Sequence, residues 1–417
     1  MKKKICLVTN WYPTKENPTA GCFFKEQAFS LGASCDFIVF RYQEKTRKSP
    51  FQRDYCQKVN AEKNTVEYVA IAYIPLSIRL HDAVHNFLMQ RSEKTEIGVG
   101  IYVSEKRKKI VAQKLKKLFD QAKEDVDVFY CVDGQNEAYN LQCLSKVYGK
   151  PYIIGEHAPV PLPGTLISDV NKKAIEQANL FLAISNDKIR QLLMQNIRLP
   201  KTVYIGNMID ETKFLYAPNK TVDYKKFIIV AAHSFYKNYD MFINVMNRLT
   251  ELTDKKFGVM IVGYGANKGY SKDVEAFEEK IRKTKFAGSV QLIPEVSRDE
   301  IASVYNQADA FVMTSIQEGQ PVSTMEAACC GLPIFSTRCG GVEDYVDDEI
   351  GRIYDVLDVE GMANGLKDYL EGVLKFNSLA IRQKVVDRFG TKEFSSAFIC
   401  AVNVVMEQFS DYKQEYQ

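Results

Sequence analysis

Residues 309–346 read DAFVMTSIQEGQPVSTMEAACCGLPIFSTRCGGVEDYV. A short apolar run, 310–313, predicts a buried strand, and the polar segment 314–321 that follows predicts a loop. A helix is expected from 322–324 to Cys330, because Gly331 ends it and Pro333 prevents its continuation. The run 334–336 predicts a second strand. The whole is one strand–loop–helix–strand unit, with its loop at the carboxyl edge of a parallel sheet. Gly319 lets the backbone turn tightly. The start of the helix offers N–H groups and the positive end of a dipole, which suits an anion. Two carboxylates, Glu318 and Glu326, stand on either side. A carboxylate does not hold phosphate, but it accepts hydrogen bonds from hydroxyls. An anion site flanked by two such acceptors suits a ligand carrying a diphosphate, a sugar and a ribose. A loop-capping Glu318 and a surface Glu326 are the other reading that spacing leaves open.

Working outward, similar units fill the chain. KKICLVTN, CDFIVFRY, VDVFYCVD, KPYIIGEH and ANLFLAIS are short apolar runs separated by helix-length segments. The pattern restarts with FIIVAAH, KFGVMIVGYG, SVQLIP, ADAFVMTS and LPIFST. This alternation predicts an α/β protein with parallel sheets covered on both faces. Two doubly wound, Rossmann-like domains are expected, 1–215 and 216–392, facing a central cleft. Ligands of such sheets bind outside the carboxyl ends of the strands. A final helix is read over 393–417, its apolar stripe at 394, 398, 402, 405, 409 and 412 docking on the second domain or crossing back to the first.

The 417 residues suit two to three domains. With 46% hydrophobic and 26% charged residues, the chain is of ordinary globular type rather than disordered or fibrous. No apolar run reaches membrane-spanning length, and MKKKICLVTN reads as a first strand rather than a leader. Ten cysteines without a CxxC fit a reduced, cytoplasmic protein. His81 and His85 read as a solvated helix face, and the DVD at 125–127 as a helix-to-strand turn; no metal site is expected. Residues 1–214 hold 32 Lys and Arg against 23 Asp and Glu, whereas residues 215–417 hold 23 against 29. The basic half points to an anionic partner. For its densest stretch, EKRKKIVAQKLKK at 105–117, a solvated helix face and a membrane surface stand as equal readings.

The 309–346 segment resembles the signature of the retaining glycosyltransferases of family 4, the group 1 enzymes with the GT-B fold. Two glutamates with seven residues between them, a small-residue helix, a Gly-Leu-Pro turn, a strand and the pair Gly340–Gly341 carry the resemblance. It implies that Glu318 meets donor-sugar hydroxyls, that the amides of Gly319, Gln320, Pro321 and Val322 lie near sugar and diphosphate, and that Glu326 holds the ribose. Glu343-Asp344 replaces the usual Pro-Glu. VAAHSFYKNYD resembles the family's phosphate loop, with Lys237 as its lysine and Ala232 where an arginine is usual; His233 or a basic residue of the first domain is the candidate replacement. IVGYG supplies Gly263 of a Gly-x-Gly turn, with Lys268 where a dinucleotide fingerprint needs glycine. QLIPEVSRDEIASVYNQADAFV resembles the segment whose backbone meets the base, with Pro294 in place of a glycine. In the first domain, Gly21 and His157 resemble residues placed beside donor phosphate and donor sugar. Asn207 and Asp210 read as hinge or capping residues.

The resemblance implies transfer of a sugar from a nucleoside-diphosphate sugar to a hydroxyl, with retention and without a metal or other cofactor, in surface polysaccharide or glycolipid assembly. His157 and Glu318 would position the sugar. A lipid-linked acceptor would place the protein at the inner face of an anionic membrane; nucleic acid is not an expected partner. IAYIPLSIRLHDAVHNFLMQ at 71–90 adds apolar and cationic residues near the basic stretch. A nucleotide-sugar 2-epimerase and a non-catalytic sugar-nucleotide sensor are the competing readings.

Overall fold

The structure, a computed structural model, describes residues 2–14, 20–62, 64–92, 103–157, 167–218, 223–266 and 272–415. Lys268 lies outside them, and so do the side chains of 89–92 and of Tyr412. The chain divides into two units, one comprising 1–206 with 395–417, the other 207–394.

The first unit is built on a sheet of eight strands among the described residues. They are β1 (Lys4–Thr9), β2 (Asp36–Arg47), β3 (Tyr55–Glu62), β4 (Thr65–Pro75), β5 (Val128–Cys131), β6 (Tyr152–Glu156), β7 (Leu180–Ala183) and β8 (Thr202–Tyr204). Their order is β3-β4-β2-β1-β5-β6-β7-β8. All neighbours pair in parallel except β3, which lies antiparallel to β4 at the edge. The wholly parallel sheet expected from sequence therefore carries one antiparallel edge strand. Central strands are buried along their length, as in Val128–Cys131 and Tyr152–Glu156, because helices cover both faces. Asp127 accepts the Lys4 N–H at 2.8 Å and Asp125 pairs with Lys150 at 3.0 Å, so these two acids of 125–127 tie strand starts together. The long helix Thr391–Glu415 buries Phe398, Val402 and Val405. From Ser395 it is part of the first unit, where Phe398 meets the Tyr130 ring edge-on at 5.2 Å.

The second unit has six strands among the described residues: β9 (Lys226–Val230), β10 (Gly258–Val262), β11 (Val290–Ile293), β12 (Ala310–Met313), β13 (Ile334–Thr337) and β14 (Gly351–Tyr354). Their order is β11-β10-β9-β12-β13-β14, all parallel. The winding reverses between β9 and β12, so the loops leaving these two neighbours diverge and open a crevice at their carboxyl ends. In the first unit the reversal falls between β1 and β5.

Candidate active site

In the second unit the two diverging loops carry the charged groups. After β9, residues 231–238 end in a single turn of 3-10 helix, Phe235–Lys237. Asn238 takes the left-handed conformation, φ +47°, and its side chain caps the helix Tyr239–Leu252 by accepting the Met241 N–H. The Thr314 hydroxyl, just past β12, donates to the carbonyls of Lys237 and Asn238 at 3.2 and 3.1 Å. The Ile316 N–H donates to the Tyr236 carbonyl at 2.7 Å. These bonds lock the lysine turn to the glutamate loop. Lys237 Nζ consequently lies 2.5 Å from Glu318 Oε1, with both side chains half-screened from water. Lys237 and Glu318 are thus one ion pair at the switch point of the sheet.

The helix expected after this loop spans Val322–Cys329, with Pro321 before it, and no side chain caps its first turn. The Thr324 hydroxyl instead donates to the Pro321 carbonyl at 2.7 Å. The first N–H groups therefore keep the positive end of the dipole directed into the loop. Gln320 is committed to the unit itself: its side-chain oxygen accepts the Asn207 N–H, and its carbonyl accepts the Asn207 amide at 2.9 Å. Asn207 and Gln320 are both buried. Gly340 and Gly341, at φ +95° and +70°, bring backbone against backbone. A Cβ on Gly341 would come within 2.7 Å of the Gln320 Cα and nearer still to the Gly319 carbonyl oxygen. Glu343 accepts the Gly340 N–H at 3.1 Å, which gives it a local structural part.

Glu326 is buried, not a surface charge. Tyr305 donates to its Oε2 at 3.0 Å, and Arg298 pairs with its Oε1. The Arg298 guanidinium in turn lies 5.1 Å over the Phe214 ring. Burial and the adjacent Glu326 raise the Tyr305 hydroxyl well above its ordinary pKa, so it stays a donor. Sequence reading missed Arg298 and Tyr305. Both lie in the segment read only for its backbone, and their one signal is a cation and a tyrosine on either side of a helix start. Gly263 takes φ +80° and donates its N–H to Ile293 at 2.8 Å, while Gly265 packs on Pro294. The His233 ring stacks on Tyr239, with centroids 5.5 Å apart, and packs on Phe277.

The first unit brings Gly21 and His157 together. Gly21, at φ +62°, precedes the helix Cys22–Leu31, and a Cβ there would lie 2.7 Å from the Trp11 carbonyl oxygen. The His157 ring meets Phe24 edge-on at 4.9 Å, and the His157 backbone N–H donates to the Val132 carbonyl at 3.0 Å. Beside these strand ends sit three buried acids, Asp133, Glu137 and Glu156. Glu137 Oε1 accepts the Asn10 N–H at 2.6 Å, whereas its Oε2 has no hydrogen-bond partner among the described residues. Burial pushes Asp133 up to about 6; burial, then Asp133, pushes Glu137 well above the carboxylate range.

Raised acids favour the folded chain while protonated. Their contribution is complete below the unfolded value near 4 and is lost as pH rises through about 6 and beyond. Each tenfold difference in proton affinity is worth about 1.4 kcal/mol. For a unit of this size that is about 3–5 °C in Tm. Glu137→Gln should therefore raise Tm relative to the parent at pH 8 and lose that advantage at pH 5. An equal difference at both values, in thermal melts, would show that Glu137 is not the titrating group.

Among the described residues no group of three His, Cys, Asp or Glu side chains is placed to hold a metal ion. No described helix is long and apolar enough to cross a membrane.

Residues 210–381 match the family described as "Glycosyl transferases group 1". The match falls within the second unit. Across 211 residues the chain is 24% identical to the phosphatidylinositol N-acetylglucosaminyltransferase gpi3 subunit of Schizosaccharomyces pombe, covering 49% of this chain and 44% of that protein. The chain thus spans less than half the length of that relative. Sucrose-phosphate synthase of Thermosynechococcus elongatus superposes over 100% of this chain and 99% of its own, with a TM-score of 0.68 at 14% identity. Anabaena HepE, crystallised with UDP and glucose, superposes over 96% of this chain and 100% of its own, with a TM-score of 0.64 at 16% identity. These superpositions give the chain the GT-B fold.

Proposed function

We propose that the protein is a retaining glycosyltransferase that moves a sugar from a nucleoside-diphosphate sugar to a hydroxyl, in glycolipid or surface polysaccharide assembly. The observation that carries this reading is the Lys237–Glu318 pair, held beside the uncapped start of the helix Val322–Cys329 at the strand-order reversal. The cation and the helix dipole suit a diphosphate; the carboxylate suits sugar hydroxyls. Glu326, fixed from two sides, suits the ribose. The name of the Schizosaccharomyces pombe relative supports a lipid-borne acceptor, and the UDP bound to the Anabaena protein supports a uridine donor.

In the reaction, the bond from the anomeric carbon to the diphosphate oxygen breaks, and the electron pair leaves with the diphosphate. Lys237 and the N–H groups of Gly319, Gln320 and Val322 stabilise the charge that grows there, with no metal needed for that neutralisation. The acceptor oxygen bonds to the same face of the carbon, and its proton passes to the departing phosphate. Glu318 holds the sugar during transfer.

Thermal-shift screening with UDP, GDP and ADP identifies the base, and titration calorimetry then tests the ribose contact. A hydrogen bond to a charged group contributes about 1.5–3 kcal/mol. Glu326→Ala should therefore weaken the selected nucleotide about 10–100-fold. Glu326→Gln, which keeps the shape beside Tyr305, should fall between. Unchanged affinity in both variants would remove the ribose assignment.

A further inference from the structure

The helix Leu76–Ser92 of the first unit turns most of its described apolar side chains outward. Its inward face seats Ile78 in the core and carries a polar network: Asp82 is buried and pairs with Arg107 at 3.2 Å. Arg107 also holds Glu44 at 2.7 Å, and Arg79 donates to the Glu44 carbonyl at 2.8 Å. This network fixes which side of the helix faces the sheet. The outward face is apolar. Leu76, Leu80, Val84 and Leu88 recur every fourth residue and are 52–59% exposed. A helix on a globular body normally places those residues inward. Such a contiguous exposed stripe marks an interaction surface.

The surface continues beyond the helix. Arg47, at the end of β2, pairs with Pro75, the residue before Leu76. The loop leaving Arg47 carries Phe51, which is 89% exposed. Lys45, Lys48 and Arg53, all exposed, stand around that ring in sequence. Apolar side chains flanked by cations, in the half of the chain with the basic excess, are complementary to acyl chains beneath anionic headgroups. We propose that the stripe Leu76–Leu80–Val84–Leu88, with Phe51, seats the first unit in the surface of an anionic lipid membrane. This surface stands on its own geometry and does not depend on sugar transfer.

Cosedimentation of the full chain with phosphatidylcholine vesicles, with and without phosphatidylglycerol, tests it. The parent should bind the anionic vesicles and bind more weakly as salt rises. Leu80→Glu/Val84→Glu should lower binding tenfold or more with Tm retained, because those side chains face outward. Lys48→Glu/Arg53→Glu should lose only the part that depends on phosphatidylglycerol. Binding unchanged in Leu80→Glu/Val84→Glu overturns the proposal. So does a parent dimer in sedimentation equilibrium that the same variant converts to monomer, since the stripe would then cover a second copy of this chain. Vesicle binding requires no donor, so failure of the transferase reading, tested by nucleotide titration, is read independently.

Discussion

Lys237→Ala should lower kcat for sugar transfer by about 10²–10³, the usual cost of removing one group that stabilises a developing oxyanion. Without donor, the lysine is paired with Glu318 at 2.5 Å. Its charge is therefore partly satisfied at rest. As the anomeric bond breaks, the diphosphate becomes the stronger anion, and Lys237 gains more there than it loses from Glu318. That difference between transition state and ground state is what lowers the barrier. Donor affinity should fall less than kcat, and Lys237→Arg should restore part of the rate, since the charge survives while its shape changes. Glu318→Ala should also be severe. In the double variant the losses should not add, because each residue positions the other. Rates of nucleoside-diphosphate release, with the donor chosen by thermal shift, decide the matter. A Lys237→Ala rate within about threefold of the parent, a barrier change below 1 kcal/mol, would mean that the pair is structural.

The strands that were legible are those whose apolar runs are buried on both faces, such as Val128–Cys131 and Ala310–Met313. β3, YCQKVNAE, was not read as a strand, because it lies at an edge and is mostly exposed, with no apolar run. β4 and the helix after it were harder still. Apolar residues run on through Pro75, but those of β4 face the core, whereas Leu76, Leu80, Val84 and Leu88 face outward and Ile78 between them faces in. A pattern of apolar positions does not distinguish inward from outward. At the site, the loop, helix and glutamate spacing of 309–346 were local and therefore readable. The partner of Glu318 is 81 residues away, and Arg298 reaches Glu326 from a different loop. Those contacts follow from strand order, which single-sequence periodicity does not encode. In the first unit, Asp133 and Glu137 follow β5 and meet Glu156 at the end of β6 in the same way.

Gly341→Ala should be strongly disruptive, and comparison with Gly372→Ala shows why. Both glycines have positive φ, +70° and +85°. An L residue in that conformation costs about 1–2 kcal/mol. A Cβ on Gly372 meets nothing within 4 Å, so that strain is the whole penalty there. A Cβ on Gly341 meets backbone atoms of Gly319 and Gln320, which cannot swing aside as a side chain does. Overpacking of this kind adds about 1–3 kcal/mol. The expected loss is about 2–5 kcal/mol, or about 5–15 °C in Tm, against about 2–5 °C for Gly372→Ala. The consequence for binding is sharper than that for stability. The chain relieves the clash by moving 319–320 away, and Gly319 is the residue between Glu318 and the buried Gln320–Asn207 contact. Nucleotide affinity should therefore drop at least tenfold in Gly341→Ala and stay at the parent value in Gly372→Ala. Equal melting temperatures and equal affinities for the two variants would mean that the loop yields freely, and that Gly340–Gly341 does not hold the donor loop in place.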